Sequence, residues 1–531
     1  MSTQLLVGGR VYSSSNPDAT AMAVTDGVVS WVGLDRAGRA LHPDAEIVEL
    51  GGAFVAPAFV DPHVHVTALG LKLTGLDLSA AASLRECLDL LAAFAAAHPG
   101  GALLGDGWDE TTWPEGRPPS VEEIETAAPG RLVYLVRVDA HSAMASAALL
   151  DTVPGITEAT GFTRGEPLRA DAHHRVRAAA LGALDRTQRD RARRAALDAA
   201  AANGIVAVHE CAGPDISGET DVRELLDFTH GVEVRAYWGQ AVRTADEART
   251  LLKELGVHAL GGDLFVDGSI GSHTALLRAP YADRDTTGTA YLDADAITAH
   301  ILACTEAGIQ TGFHVIGDAA MDAVVTGFER VVAGLGGPAV ASRGHRLEHA
   351  EMIDADQIAK LAQWGVIASV QPAFDATWGG PDGMYATRLG ADRAATLNPF
   401  SAMAAAGISL AIGSDAPVTA LSPWEAIRAA AHHRTPGHQI SPRAAFAAAT
   451  RGAWRAGGVR DGMAGTLVAG APASYTVWEA SDLVVAAASD TVQRWSTDPR
   501  SRVPGLPPVH PDATLPRCLR TVHRGVTIHG A

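Results

Sequence analysis

Residues 54–65 read FVAPAFVDPHVH, an apolar run that ends in two histidines separated by one residue. The aromatic and β-branched residues predict a buried strand. Because side chains alternate between the two faces of a strand, His63 and His65 would project together from its end. Two neighbouring imidazoles suit a transition metal such as zinc. A single pair of this kind often arises by chance, so the interpretation depends on the rest of the chain.

The composition is that of a globular protein, because 47% of the 531 residues are hydrophobic and 19% are charged. The 42 basic and 60 acidic residues give a net charge of −18. This charge argues against nucleic acid or an anionic membrane as the partner, and we expect a small-molecule substrate instead.

The cysteines and the N-terminus bear on the compartment. The 4 cysteines are widely spaced and form no CxxC pair, so neither a disulfide framework nor a cysteine-based zinc site is expected. The N-terminal residues lack a secretory signal, and no apolar stretch is long and uncharged enough to cross a bilayer. We therefore predict a cytoplasmic protein.

The two chain ends share a β-rich texture. Residues 1–56 consist of short apolar segments separated by glycine-containing turns, and residues 458–531 return to the same pattern. Neither segment is large enough for a stable core of its own. We expect the two ends to pair into one small β-sandwich domain.

Residues 57–457 alternate strand-like and helix-like segments. The strand-like segments, in chain order, are AFVDPHVH, GIVAVHE, VEVRAYW, DLFVDGS, QTGFHVIGD, HRLEHAE, GVIASVQP and SLAIGSDAP. Repeated alternation predicts parallel strands, and eight of them predict an α/β fold of the (β/α)8 TIM-barrel type. A doubly wound open sheet is the alternative, but no GxGxxG follows an early strand.

One interval is too long for a single connecting helix. About 135 residues separate the first two strands, so we predict an insertion at about residues 70–195. Trp108, Trp113 and several prolines in this interval favour a structured lid subdomain over the barrel mouth.

Potential metal ligands fall at the ends of several predicted strands. Active sites of TIM-type barrels lie at the carboxyl ends of the strands. Strand two ends at His209 and Glu210. Four other strand ends would bring side chains to one rim and predict a divalent-metal site there. These side chains are His63 and His65 on strand one, His314 on strand five, His349 on strand six and Asp415 on strand eight.

The residue types fit metal-assisted hydrolysis. Neutral imidazoles hold zinc without cancelling its charge, so the ion stays a Lewis acid and activates water to hydroxide. Asp415 could both touch the ion and carry the proton to a leaving nitrogen. His349 could bind a second ion, or it could hydrogen-bond the attacking water or the developing oxyanion.

Several motifs carry a resemblance to a known family. PAFVDPHVH, FHVIGD, HRLEHAEMI and AIGSDAPV resemble the metal-dependent amidohydrolase superfamily. GWDETTW, VRVDAHSAMASAAL, FVDGSIGSHTALLRAPY, SVQPAF and DGMAGTLVAG resemble its YtcJ-like branch, which includes N-substituted formamide deformylases. The resemblance implies a barrel with a small β-sandwich and hydrolysis of a non-peptide carbon–nitrogen bond. It also implies a homodimer and one or two ions, held by His63, His65, His314, His349 and Asp415.

The sequence departs from this pattern at one position. Two-metal members of the branch carry, on strand four, a lysine that becomes carbamylated and bridges the ions, whereas this chain has Asp263. Either one ion binds, with His349 assisting catalysis, or another carboxylate bridges two ions. Glu210 is the first candidate for such a bridge and Asp263 the second. The substitution favours a single zinc ion.

The remaining assignments concern the substrate and the reaction class. Trp108, Asp139 and His141 lie in the insertion, within motifs that resemble those of the family. They are therefore candidate substrate contacts, although each could have a purely structural role. The same metal site could instead serve a deaminase or a cyclic-amide hydrolase. A degenerate barrel that binds a small molecule without turnover is the non-enzymatic alternative.

Overall fold

The computed structural model describes residues 2–110, 113–137, 142–214, 216–485 and 503–530. The chain divides into two compact units. Unit 1 comprises Met1–His65 and Leu197–Ala531, and unit 2 comprises Val66–Ala196. Asp139 and His141, which the sequence suggested as substrate contacts, lie outside the described residues.

The strands, numbered in chain order, are β1 Thr3–Val7, β2 Arg10–Val11, β3 Ala21–Thr25, β4 Val28–Gly33, β5 Glu46–Glu49, β6 Phe54–Pro57, β7 Phe59–Val64, β8 Leu76–Asp77, β9 Leu103–Trp108, β10 Val133–Arg137, β11 Ala143–Ala145, β12 Ile205–Ala212, β13 Glu233–Trp238, β14 Ala259–Leu260, β15 Gly312–Val315, β16 Arg346–His349, β17 Ile367–Val370, β18 Ser409–Ile412, β19 Tyr475–Glu479, β20 Arg517–His523 and β21 Val526–His529.

The helices are α1 Asp35–Leu41, α2 Val66–Thr74, α3 Leu84–Ala97, α4 Val121–Ala127, α5 Ala147–Leu150, α6 Ala170–Gly182, α7 Arg186–Ala202, α8 Gly218–Leu226, α9 Ala245–Leu255, α10 Ala294–Ala307, α11 Asp318–Leu335, α12 Gly337–Ala341, α13 Ala355–Gln363, α14 Pro372–Trp378, α15 Met384–Leu389, α16 Ala391–Ala394, α17 Phe400–Ala406, α18 Pro423–Ala431, α19 Pro442–Ala447 and α20 Ala453–Ala456. In the described part of the chain, no helix has both the length and the apolar character needed to cross a bilayer.

Eight parallel strands of unit 1 follow one another in chain order. They form two four-stranded sheets, β7-β12-β13-β14 and β15-β16-β17-β18. Isolated parallel bridges pair Leu260 with Thr311 and Val64 with Ala416, so the two sheets adjoin at both edges. Helices with side-chain N-caps lie between several strands, among them α9, which Thr244 and Glu247 cap reciprocally.

The fourth of these strands differs from the prediction. The sequence suggested DLFVDGS, residues 263–269, but the ladder forms earlier, at Ala259–Leu260. Gly261 and Gly262 follow with positive φ angles, which end the strand, and only an isolated bridge from Phe265 to His314 lies beyond them. Asp263 therefore stands in the segment that leaves the strand.

The two chain ends share one sheet and one hydrophobic core. The five-stranded sheet β2-β6-β19-β20-β21 contains strands from both ends, and β6 pairs antiparallel with β19. A second sheet, β4-β3-β1-β5, comes from the N-terminal end alone. Leu6 and Met22 pack with Tyr475 and Val522 in the same buried cluster, so neither end builds this core alone.

Unit 2 contains its own sheet and core. Its strand order is β11-β10-β9-β8. Trp108 is fully buried among Trp113, Leu91 and Leu135, and its indole N–H donates to the carbonyl oxygen of Leu135 at 2.9 Å. The structure thus gives Trp108 a packing role in unit 2, and its contact with substrate stays a prediction.

Candidate metal centre

The first two histidines are held where β7 ends. The backbone N–H of Asp415 donates to the carbonyl of His63 at 2.8 Å, and that of His65 donates to the carbonyl of Ala416 at 2.9 Å. These bonds fix the HxH segment against the loop after β18. The ring centroids of His63 and His65 lie 5.5 Å apart, as expected for neighbours that project from one strand end.

Two more histidines come from adjacent strands of the second sheet. The ring centroids of His314 in β15 and His349 at the end of β16 lie 4.5 Å apart. His349 Nδ1 lies 2.8 Å from Gln371 Oε1, and His314 Nε2 lies 3.2 Å from the carbonyl of Gly268. These contacts orient the opposite ring nitrogens, His349 Nε2 and His314 Nδ1, towards the centre.

Asp263 lies among all four imidazoles. Its Oδ2 is 3.3 Å from Nε2 of His63 and 3.3 Å from Nε2 of His65. Its Oδ1 is 3.4 Å from His314 Nδ1 and 3.7 Å from His349 Nε2. Asp263, at the position of the expected lysine, is therefore part of the centre.

Asp415 completes the cluster on the side of the HxH pair. Its Oδ1 lies 3.4 Å from His63 Nε2 and 3.2 Å from His65 Nε2. The residue has a φ angle of 54° in the left-handed region. Non-glycine residues keep this backbone conformation only when their surroundings impose it, and such residues concentrate at functional sites.

The donor set fits a divalent cation. Among the described residues, six buried atoms of this centre, one from each residue, have no hydrogen-bond partner. Such atoms are costly unless something compensates them. Nitrogen and carboxylate oxygen donors at this spacing suit a divalent metal ion. The six atoms are His63 Nε2, His65 Nδ1, His314 Nδ1, His349 Nε2, Asp263 Oδ1 and Asp415 Oδ1.

The centre balances carboxylates against imidazoles. Burial acts to lower the pKa of His65, but the contacts with Asp263 and Asp415 outweigh it and raise that pKa to about 10. Burial acts to raise the pKa of both carboxyl groups, and the histidines, His63 above all, lower it instead. Both carboxylates thus stay ionised near neutrality. A bound cation would take the place of protons on these rings.

A buried ion pair supports the other side of the His63 ring. Glu348 Oε2 lies 2.9 Å from His63 Nδ1, and Arg346 donates to both oxygens of Glu348, at 2.6 and 2.8 Å. The Arg346 guanidinium also donates to His209 Nδ1 at 3.0 Å and lies 4.3 Å from the ring centroid of Tyr237. This carboxylate–histidine arrangement fixes the His63 ring with Nε2 towards the centre.

His209 and Glu210 do not join the centre. The strand β12 continues beyond them to Ala212. His209 is buried, and burial together with the charge of Arg346 holds its pKa well below the ordinary value. Cys211 forms a potential ligand group with His63 and Glu348. Among the described residues, no potential ligand group includes Glu210.

Sequence reasoning missed the supporting residues Arg346, Glu348 and Gln371. Arg346 and Glu348 are two apart in HRLEHAE, so both charges would share one face of a buried strand, and such a pair demands a partner. Gln371 directly follows β17 at the same rim. These positions were visible in the sequence, but their contacts with His63 and His349 join segments distant along the chain.

A protein family and several curated proteins are similar to this chain over most of its length. A family model described as "Amidohydrolase family" matches residues 46–529. Similar curated proteins include Protein LONG AFTER FAR-RED 3 of Arabidopsis thaliana, 28% identical, covering 85% of this chain and 83% of the relative. The putative amidohydrolase YtcJ of Bacillus subtilis (strain 168) is 28% identical and covers 82% and 84%. The N-substituted formamide deformylase of Arthrobacter pascens is 24% identical and covers 83% and 85%.

Solved structures agree on the fold. An uncharacterized metal-dependent hydrolase from Pyrococcus furiosus superposes with a TM-score of 0.74 at 24% identity, over 90% of this chain and 98% of that chain. The fold is thus shared over nearly the whole length. The family match covers the segments that carry all six side chains of the candidate centre, and the chain belongs to the amidohydrolase family.

Proposed function

We propose that this protein is a metal-dependent hydrolase that cleaves a non-peptide carbon–nitrogen bond of an amide, a formamide or a cyclic amide. The observation that carries the proposal is the convergence of four histidines and two aspartates from five strand ends, with six of their buried atoms lacking hydrogen bonds among the described residues. The family membership supports hydrolysis as the reaction class. A relative named N-substituted formamide deformylase supports the amide type of bond.

The proposed metal ligands are His63, His65, His314, His349 and Asp415, with zinc as the preferred ion because the donors are imidazoles and carboxylates. A bound divalent ion supplies Lewis acidity, which polarises the amide carbonyl and makes water more acidic. The contact of His349 Nδ1 with Gln371 fixes the ring. Its Nε2 therefore points towards the centre, where it would bind the ion.

In the proposed reaction Asp415 carries the proton. Its Oδ1 reaches the imidazoles of His63 and His65 but makes no hydrogen bond among the described residues. During attack the water oxygen bonds to the carbonyl carbon and its proton passes to Asp415. Asp415 then donates this proton to the nitrogen as the carbon–nitrogen bond breaks, which yields a carboxylic acid and an amine.

The architecture that we propose around this centre is a closed (β/α)8 barrel joined to a β-sandwich of the two chain ends. The two parallel sheets, bridged at both edges, support the barrel. The five-stranded and four-stranded sheets of the chain ends support the sandwich. The lid role of residues 70–195 and the homodimer stay predictions.

A substrate screen tests the proposed reaction. Protein loaded with Zn²⁺ is incubated with N-formyl amines, N-acyl amines, cyclic amides and amino-substituted heterocycles, and acid, amine and ammonia are quantified. We expect at least one amide class to give equimolar acid and amine. Ammonia released from the heterocycles alone would indicate a deaminase instead. Fully loaded protein that leaves every class intact would contradict the proposal and favour a binding protein without turnover.

A further inference from the structure

We propose that Asp263 bridges two divalent cations, one held with His63, His65 and Asp415 and the other with His314 and His349. This inference rests on the proposed metal-dependent function and specifies the ion count and the bridging group. It replaces the single zinc ion that the sequence favoured. The geometry of the donor atoms carries the argument.

Four donor atoms define the first position. They are the Nε2 nitrogens of His63 and His65 and one carboxylate oxygen each from Asp263 and Asp415. Each of the two nitrogens lies 3.2 to 3.4 Å from each of the two oxygens. Ligands of a tetrahedral zinc ion with bonds of roughly 2.0–2.2 Å stand roughly 3.3–3.6 Å apart. Of these residues, His63, His65 and Asp415 form one potential ligand group, with donor atoms all within 4.8 Å of one another, and Asp263 Oδ2 adds an oxygen 3.3 Å from both imidazoles.

Three donor atoms define the second position. Asp263 Oδ1 lies 3.4 Å from His314 Nδ1 and 3.7 Å from His349 Nε2. All three atoms are buried and have no hydrogen-bond partner among the described residues. Three protein ligands leave one coordination position for water or substrate, which is the pattern of catalytic rather than structural sites. The two positions thus differ, the first being fully supplied by protein and the second open.

The carboxylate of Asp263 divides its two oxygens between these positions. Its Oδ2 lies next to the imidazoles of His63 and His65, and its Oδ1 lies next to those of His314 and His349. Asp263 also forms a potential ligand group with one histidine of each pair, His63 and His349, so its carboxylate stands between the two pairs. One carboxylate shared between two ions satisfies both sets and leaves no unpartnered oxygen.

The backbone around Asp263 fixes this placement. Gly239, just after β13, lies so close that a Cβ atom there would stand 2.4 Å from the carbonyl oxygen of Asp263. This contact holds the backbone of residue 263 against the loop after β13, and from there the Asp263 carboxylate lies near all four imidazoles. A native carboxylate thereby fills the bridging role without modification of a lysine.

Metal counting combined with spectroscopy tests the bridge. Wild-type protein is stripped with a chelator, titrated with Zn²⁺ or Mn²⁺ at saturation, and its metal content is measured by mass spectrometry. Electron paramagnetic resonance of the Mn²⁺ form reports whether two ions are magnetically coupled. We expect two ions per chain and a coupled spectrum for the wild type. Asp263→Asn should lower the content from two ions to one and abolish the coupling.

Asp283→Asn is the matched control, because Asp283 also contacts an imidazole, His273, at 3.0 Å but lies outside the centre. It should keep two coupled ions. One ion per saturated wild-type chain, or two coupled ions in Asp263→Asn, would overturn the bridge. If Asp263→Asn does not fold, the wild-type spectrum alone decides, since uncoupled ions contradict the proposal. Hydrolysis with one ion would leave the proposed function intact, whereas two coupled ions without hydrolysis would leave the bridge intact.

Discussion

At the scale of single residues, the centre depends on side chains whose backbone is unusual. Asp415 and His349 have φ angles of 54° and 68°, in the left-handed region that β-region strand residues do not enter. His349 is the last residue of β16 and Asp415 lies shortly after the end of β18, so the positive φ angles occur where the chain leaves these strands. Local strain of roughly 1–3 kcal/mol per residue persists because the surrounding backbone hydrogen bonds impose it.

Replacing Asp415 by asparagine tests its chemical role. The asparagine side chain would keep the shape and one oxygen but could not accept and return a proton. We expect Asp415→Asn to lower kcat/KM by roughly 10²–10⁴-fold, with a thermal midpoint close to that of the wild type. Steady-state kinetics and thermal unfolding measure both effects, with Asp283→Asn as the control. Unchanged kcat/KM would mean that another group carries the proton.

At the scale of secondary-structure elements, the loop after β13 and the segment after β14 pack backbone against backbone. A Cβ on Gly239 would meet the carbonyl oxygen, carbonyl carbon and next nitrogen of this segment at 2.4, 2.7 and 3.0 Å. Contacts this short force the backbone of residues 263–264 to move. The absence of a side chain at Gly239 thus positions Asp263.

We therefore expect Gly239→Ala to displace Asp263 and reduce the metal content of the purified protein, although no new group enters the centre. Metal analysis and thermal unfolding measure the change. Gly334→Ala is the control, because a Cβ there, in α11, meets nothing within 4 Å. A full metal content in Gly239→Ala would show that the segment adjusts without moving the carboxylate.

A second link at this scale joins β13 to the β20–β21 hairpin. Glu233 lies 3.6 Å from His523, 2.9 Å from Arg235 and 2.9 Å from Arg524. The contact with His523, followed by those with the two arginines, overcomes the effect of burial and lowers the pKa of Glu233 to about 2. The folded state therefore favours the ionised carboxylate.

A carboxyl group with a lowered pKa stabilises the fold above its unfolded pKa of about 4.5, and the contribution disappears as the pH falls towards 2. Glu233→Gln should lower the free energy of unfolding by roughly 1–3 kcal/mol at pH 7, with the difference shrinking between about pH 5 and 2. Denaturant unfolding across this range measures it. Glu479→Gln, which breaks an exposed pair with Arg517, should change stability by less than about 1 kcal/mol. A constant difference at every pH would contradict the ionic origin.

At the scale of the whole molecule, the bound ions should stabilise the fold. A ligand that binds only the folded state, at about 100 times its Kd, adds roughly 2.7 kcal/mol. We expect chelation to lower the thermal midpoint and Zn²⁺ to restore it. Hydrogen exchange should place the loss of protection at the strand ends around His63, His314 and His349. An identical midpoint after complete removal of metal would contradict the structural role of the ions.

The sequence by itself determined the local features of this protein. Alternation of apolar strands with capped helices indicated the eight parallel strands, because side-chain periodicity is a property of neighbouring residues. The same reasoning located His63, His65, His314, His349 and Asp415 at strand ends, and the motifs around them indicated the family that the match over residues 46–529 confirms. Position in a strand and residue type are local properties, so they can be read without the fold.

The tertiary structure alone decided which distant groups meet. His63 contacts Glu348, 285 residues away, and no local pattern encodes such a pairing. The fourth strand formed before the predicted segment because two glycines ended it, so Asp263 lies in the segment that leaves the strand and reaches the centre. Among the described residues, no potential ligand group includes Glu210. Ladder register and the close approach of two backbones set these distances, and both arise only when all the strands assemble.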